Sequence, residues 1–209
     1  MRVAAIALFG LLLLPAAARA DQGAPPAPSP EVQRLLAAKK TLNWNVTLPG
    51  KREKYGHAEA LVDAPADKVR DTAVQFGRYK ELHRKFASAR VVAKEGDNTD
   101  VYLKLPVKLG PISVDQWEVM RFGPSRALPG GVHVVEGRGV KGNMKDGHLV
   151  ITIKPVDAKH SLLGVDLLLV PNMPAPQSMV DEELRDAALD FVNGLKDKSQ
   201  GWVGPVTAL

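Results

Sequence analysis

The sequence contains no cysteine among its 209 residues. That excludes disulfides, thiolate nucleophiles, thiolate metal ligands and an acylated lipobox. No G-x-S-x-G elbow offers a serine nucleophile. Aromatic residues amount to only 5%, which argues against a binding site built on ring stacking. No long basic run appears, and acids and bases are interleaved. The net charge of +5 falls to +3 once Arg2 and Arg19 are set apart in a leader, so nucleic acid is not an expected partner. The five histidines, His57, His83, His133, His148 and His160, show no zinc-like spacing among themselves or with acids. Each reads as a surface or satisfied side chain, so no metal site and no catalytic residue is assigned.

The longest apolar run, Val3 to Leu14, is too short to cross a bilayer as a stable helix. Arg2 before it and Ala18-Arg19-Ala20 after it complete the three regions of a secretory signal peptide, with cleavage after Ala20. The expected compartment is therefore a bacterial periplasm or exterior. Asn45-Val46-Thr47 is a formal glycosylation sequon, relevant only in a eukaryotic secretory pathway. The roughly 190 residues that remain can bury about 70% of their unfolded surface as one domain. No internal repeat and no second domain is visible.

Along the chain, Gln22 to Pro30 reads as a Pro/Ala-rich lead, and Pro30 opens a short helix with Val32, Leu35 and Leu36 on one side. Trp44, Val46 and Leu48 alternate as a strand before the turn at Pro49-Gly50, and a second strand runs from about Lys54 to Val62. Asp63-Ala64-Pro65 starts a helix carrying Val69, Ala73 and Phe76, which Gly77 ends. Tyr79, Leu82 and Phe86 suggest another short helix. A meander follows, with Glu95-Gly96-Asp97-Asn98 as a strong hairpin signal between Arg90–Lys94 and Thr99–Leu105. Later strands fit Ser113 to Phe122, Gly131 to Val140, Gly147 to Pro155 and Ser161 to Val170, with turns at Gly123-Pro124, Lys145-Asp146-Gly147 and Asp157-Ala158.

From Ser178 to Lys198 the pattern changes to one long amphipathic helix. Val180, Leu184, Ala187, Ala188, Phe191 and Leu195 form its apolar stripe, Ser178 is a candidate cap, and Lys196 and Lys198 close the end that favours cations. A lone terminal helix must bury that stripe against the strands before it. Two alanines at mid-helix leave room that either sheet side chains or a ligand must fill.

Two further constellations carry chemistry on paper. Gly137-Arg138-Gly139-Val140-Lys141-Gly142 spells G-x-G-x-x-G, but turn residues and another strand follow it instead of the helix a dinucleotide needs, so no cofactor is inferred. Glu136 and Arg138, two apart on a strand, share a face, as do Asp115 and Trp117. The ordinary reading of Glu136 and Arg138 is a solvent-side ion pair. On a concave face they would orient a ligand's polar head or supply an acid.

The segment Ala58-Glu59-Ala60-Leu61-Val62-Asp63-Ala64-Pro65-Ala66-Asp67-Lys68-Val69 resembles the first long strand, Ala-Pro turn and first helix of the START-like or Bet v 1-like (SRPBCC) superfamily. This is the polyketide cyclase/dehydrase and lipid transport group. Phe76 to Leu82 is similar to the segment that follows there, and Pro171 to Lys198 to the closing loop and helix. The resemblance implies an α+β helix-grip fold: a curved antiparallel sheet around the last helix, with a hydrophobic tunnel between them. With the leader and lead already read, the expected organisation is a leader over 1–20, a lead, short helix and N-terminal extension over 21–50, the START-like ligand-binding domain over 51–200 and a tail over 201–209. Within that frame the candidate ligand contacts are Trp117, Met120 and Arg138 on strands, and Leu184, Ala188 and Phe191 on the helix. Pro-rich loops at Leu105–Pro111 and Pro171–Pro176 are candidate rims.

The expected function is that of an exported, monomeric, non-enzymatic carrier for a hydrophobic small molecule such as a lipid, sterol or isoprenoid. It would make at most transient contact with a membrane surface. A cyclase or aromatase using the same cavity, and a ligand-free structural or interaction protein, are the alternatives. The leader makes one direct prediction: N-terminal sequencing of the protein from its own host begins at Asp21 or within a residue or two of it. Intact Met1 in the membrane fraction would contradict processing.

Overall fold

Proline at a helix entrance costs nothing, because its missing N–H would be unpaired there anyway. Pro30 takes that place in α1 (Pro30–Ala38), and the Ser29 hydroxyl accepts the Val32 N–H at 3.4 Å. Val32 and Leu35 are buried, whereas Leu36, expected on the same side, is 50% exposed. A computed structural model describes residues 28–83, 85–109 and 112–201. The expected leader, most of the Pro/Ala-rich lead and the tail past Gly201 lie outside these residues.

After α1 come β1 (Leu42–Val46), β2 (Tyr55–Val62), α2 (Ala66–Ala73), a 3-10 turn at Phe76–Arg78 and α3 (Tyr79–Leu82). The meander follows as β3 (Ser88–Glu95), β4 (Asn98–Leu109), β5 (Ile112–Phe122), β6 (Arg126–Leu128), β7 (Val132–Gly142), β8 (Met144–Pro155) and β9 (Ser161–Pro171). The chain then closes with α4 (Gln177–Ser199). All pairings are antiparallel, and the sheet order is β1-β2-β9-β8-β7-β5-β4-β3, with β6 alongside β7. This is the expected α+β arrangement of a curved sheet and a long C-terminal helix.

Several local expectations shift. Pro65 stands at the cap of α2 without a side-chain hydrogen bond, and Asp63 instead accepts from Gln200 Nε2 at 2.9 Å. Pro176, not Ser178, precedes α4. Lys145-Asp146-Gly147 lies inside β8, where the register slips between Met144 and Asp146. The turn is made by Asn143, whose side chain accepts from the Trp117 N–H at 2.8 Å and donates to the Asp115 carbonyl at 2.9 Å. Leu105 to Leu109 continue β4, with Pro106 opposite Asp115 in register, so most of that expected rim loop is strand; Gly110 and Pro111 lie outside the described residues. The short strand β6 had no sequence signal of its own.

Strand alternation decides what faces α4. In β2, Ala58, Ala60 and Val62 are buried on the concave side, next to Val165 and Leu163 of β9 and Ile151 and Ile153 of β8. Small residues there let the helix come close. A Cβ on Gly56 would overlap the Leu184 carbonyl and the Arg185 nitrogen of α4, and a Cβ on Gly194 would overlap the Leu82 carbonyl at the end of α3. The edge strand β1 adds polar clamps: Asn43 and Asn45 donate to the Arg185 and Asp181 carbonyls at 3.3 and 2.8 Å, and Thr41 donates to Asn193 Oδ1 at 2.6 Å. Of the expected apolar stripe of α4, Leu184, Ala187, Ala188, Phe191 and Leu195 are buried and Val180 is half-buried, and Val192 joins the buried set.

Gly56→Ala tests this seat. The added methyl meets backbone on both sides and cannot turn away, so the variant is expected to lose about 1–3 kcal/mol or more in urea unfolding. Unchanged stability would mean that the helix is not held there.

Candidate ligand cavity

The helix rests on β1, β2 and β9, while β4 and β5 stand across a gap from it. That gap is a cavity in two connected parts. The inner chamber has an envelope of about 510 Å³ and is walled by Leu103 of β4, Met120 of β5, Leu149 of β8, Leu167 of β9 and Ala187 and Phe191 of α4. The outer vestibule, open to solvent, has an envelope of about 790 Å³ and is framed by Pro171, Met173, Met179 and Leu184. Leu105, Gln116, Met144, Leu169 and Ala187 border both. The centre of a water molecule can roam only about 30 Å³ of the chamber and about 100 Å³ of the vestibule, so in this form the cavity is narrow. Three methionines sit along the path, side chains whose flexibility lets them adjust to irregular apolar shapes.

An aromatic cluster stands behind this cavity, and Phe86 and Phe191 border the chamber itself. Phe76 stacks on Phe122 at 4.4 Å, and Tyr79 meets Phe122 and Phe191 edge-on at 5.6 and 5.1 Å. The Tyr79 hydroxyl, fully buried, donates to the Ala73 carbonyl at 2.8 Å. Phe191 belongs to both the aromatic cluster and the chamber wall, so ring packing bounds the cavity on that side.

The G-x-G-x-x-G run acquires a physical meaning here. It lies on β7, and each glycine leaves space for a neighbour on the concave face of β5. A Cβ on Gly137 would overlap the Phe122 ring, one on Gly139 the Glu118 carboxyl, and one on Gly142 the Trp117 carbonyl and the Glu118 backbone. Gly147 of β8 adds a second clearance for the same carboxyl. The motif is a cradle for Glu118, not a phosphate loop.

Glu118 is 5% exposed, and its Oε2 has no hydrogen-bond partner among the described residues. Burial, reinforced by Asp146, pushes its pKa up to about 7, so near neutrality much of it carries a proton and can donate. Gln116, two residues earlier on the same face, is 4% exposed; it contacts Met173 Sδ at 3.5 Å through Nε2 and leaves Oε1 unpartnered. From the end of α3 comes His83, 1% exposed, whose Nδ1 accepts the Lys85 N–H at 3.1 Å while Nε2 is unpartnered. Burial lowers its pKa to about 4, so the ring is neutral. A neutral ring that accepts at Nδ1 carries its hydrogen on Nε2. Three buried polar side chains, each with one atom unpartnered among the described residues, thus line one apolar chamber. At the mouth Lys85 and Glu183 pair at 2.9 Å.

Of the residues proposed from sequence, Met120 and Phe191 border the chamber and Leu184 the vestibule. Ala188 is fully buried but borders neither part; its neighbour Ala187 borders both. Trp117 and Arg138 are on the opposite, convex face. Trp117 stacks on Tyr102 at 5.8 Å, and Arg138 is an exposed partner of Glu136 at 2.6 Å. The slip is one of parity: Asp115 and Trp117 do share a face, and the inward set is Gln116, Glu118 and Met120.

Glu136 on that outer face also accepts from Arg126 at 2.8 Å and meets His148 Nε2 at 3.0 Å, and His148 Nδ1 bonds the Tyr55 hydroxyl at 2.8 Å. His57 pairs there with Asp166 at 2.6 Å; burial opposes its charge, but the Asp166 and Glu59 carboxylates prevail and raise its pKa to about 9. His133 and His160 meet Asp67 and Asp157 at 3.1 and 2.8 Å. These four histidines have the charged or polar partners expected of them, whereas His83 does not fit that reading. Among the described residues no cluster of histidines and acids is arranged to hold a metal ion. Nothing in the sequence singled out Glu118, Gln116 or His83 beyond the alternation of β5.

Glu118 ties stability to pH. Its folded pKa stands above its ordinary value near 4.5, so the folded state keeps the proton longer, and stability is lost as pH rises through about 7. Relative to Glu118→Gln, the wild type is expected to lose on the order of 2 kcal/mol between pH 5 and 8. Parallel stability curves for the two proteins would show that Glu118 is not desolvated.

No protein-family model and no curated protein matches the chain. Solved structures do. A STAR-related lipid transfer protein from Xanthomonas axonopodis superposes with a TM-score of 0.64 at 13% identity, covering 78% of this chain and 94% of that one. Human STARD10 gives 0.61 at 10% identity over 85% and 82%. The Zhui aromatase/cyclase from Streptomyces sp. R1128 gives 0.51 at 13% identity over 74% and 98%. At such identities the likeness is one of fold. The concave sheet, the gripped terminal helix and these superpositions agree: the chain has a START-like helix-grip fold.

Proposed function

We propose that this protein is an exported carrier that binds one hydrophobic small molecule, a lipid, sterol or isoprenoid, between the sheet and α4. The observation that carries the reading is the largely apolar cavity in which Glu118, Gln116 and His83 each bury one polar atom without a partner among the described residues. Pockets that are mostly apolar with a small number of placed polar groups suit small hydrophobic ligands. Burial at about 25 cal/mol per Å² of apolar surface supplies the affinity, and the polar groups orient the head. The lipid-transfer names among the similar structures support the same class of ligand. The leader expected over 1–20 would deliver the carrier to an aqueous compartment, where a free lipid would expose its whole chain to water. The mild positive charge would favour passing contact with anionic membrane surfaces.

One observation favours a second reading. Glu118 combines a raised pKa, as a general acid would, with a place in a chamber that a neutral histidine also borders, and an aromatase/cyclase is among the similar structures.

Mass spectrometry of ligands extracted from natively purified protein, followed by transfer of the labelled ligand between vesicles, separates the two. A carrier returns the ligand chemically unchanged; a covalently altered product that disappears in Glu118→Gln points to the cyclase. Ala187→Trp is expected to abolish binding with little change in melting temperature, because it projects into the cavity. Ala188→Trp overpacks the core and is expected to cost about 1–3 kcal/mol. Full binding by Ala187→Trp would place the ligand elsewhere.

A further inference from the structure

We propose that Glu118, with Gln116 and His83, makes the inner chamber selective for a ligand with a neutral, hydroxyl-bearing head and excludes anionic heads. This rests on the carrier reading and assigns its specificity.

The orphaned atoms define what the chamber wants. His83 offers a hydrogen at Nε2, Gln116 offers an acceptor at Oε1, and Glu118 has a free Oε2. Each is at least nine-tenths buried, and all three border the same enclosed space. A buried polar group left unpaired costs about 1–3 kcal/mol, so a head that pairs them regains a large term. A hydroxyl both donates and accepts, and therefore answers a donor and an acceptor at once. A hydrocarbon end would leave all three unpaired.

Charge decides the exclusion. Among the described residues bordering the chamber there is no lysine or arginine. The cation at the mouth, Lys85, borders the vestibule and already faces Glu183 at 2.9 Å. Asp146 acts on Glu118 from β8 with further negative potential. A phosphate or carboxylate head would meet a carboxyl group in an apolar space with no counter-charge, and desolvating it there is costly. Glu118 is also no accidental intruder. Gly139 and Gly147 vacate the volume its carboxyl occupies, so two strands are shaped around it.

Three probes with one chain and different heads test this: farnesol, farnesyl phosphate and farnesene, titrated into the full-length protein by calorimetry at pH 6.5. Farnesol is expected to bind about tenfold or more tighter than farnesene, the worth of one or two satisfied buried hydrogen bonds, and farnesyl phosphate is expected to bind weakest. Glu118→Leu should weaken farnesol by about tenfold while leaving farnesene at least as tight. Gln116→Leu gives the same readout should the first variant fail to fold. Farnesene binding as tightly as farnesol, or farnesyl phosphate binding tightest, overturns the selectivity and leaves the carrier reading standing. No binding of any of the three overturns both.

Discussion

The cavity and everything around it depend on where α4 touches the sheet. Backbone meets backbone at Gly56 against Leu184 and at Gly194 against Leu82, and Asn43 and Asn45 tie the helix carbonyls to the edge strand. Those contacts fix the helix over β1, β2 and β9. Because the sheet curves, the same seat holds the helix away from β4 and β5 on the other wing. The space between is not a packing defect to be closed by relaxation, since the helix is stopped by backbone atoms and cannot sink further. Interiors otherwise leave few voids, so the opening follows from the geometry of the grip.

Polar groups are handled in opposite ways on the two faces of the sheet. On the convex face, Tyr55, His148, Glu136, Arg126 and Arg138 form one connected hydrogen-bonded chain, and His57 sits between Asp166 and Glu59. On the concave face Glu118 and Gln116, with His83 facing the same chamber from the end of α3, are buried with atoms left open. Buried polar groups in folded proteins are paired as a rule. Three of the five such side-chain atoms among the described residues border one chamber, whereas His57 Nε2, which meets Glu59 at 3.3 Å, and Ser125 Oγ lie elsewhere; the three that gather at one space make a site.

The glycine-rich run on β7 shows how misleading a motif is without its setting. In a strand-to-helix turn these spacings would hold a phosphate; inside a strand of an antiparallel sheet they remove three side chains from one stretch of wall. The neighbouring strand uses the vacated room for Phe122 and Glu118. The ring packs into the aromatic cluster behind the cavity, and the carboxyl supplies the cavity's polarity.

Much of the architecture was legible in the residues. The period-3.6 stripe of α4, the Gly96-Asp97 hairpin and the alternation of the later strands are local physics, written by neighbours a few positions apart. Met120, Leu184 and Phe191 were found as cavity-lining residues because they are apolar at the right period. The face of β5 was not legible. Alternation groups Gln116 with Glu118 and Asp115 with Trp117 but is symmetric between inside and outside, so Trp117 and Met120, of opposite parity, were both candidates. Ala187 and Ala188 are likewise adjacent on one helix, and only the angle of its seat decides that the first borders the cavity and the second packs on the sheet. The sequence by itself determined the elements, their order and the apolar stripe, since each is set by short-range periodicity and turn chemistry. Tertiary structure alone decided that glycines of β7 and β8 and a histidine after α3 converge on a buried glutamate, because that convergence joins residues far apart in the chain.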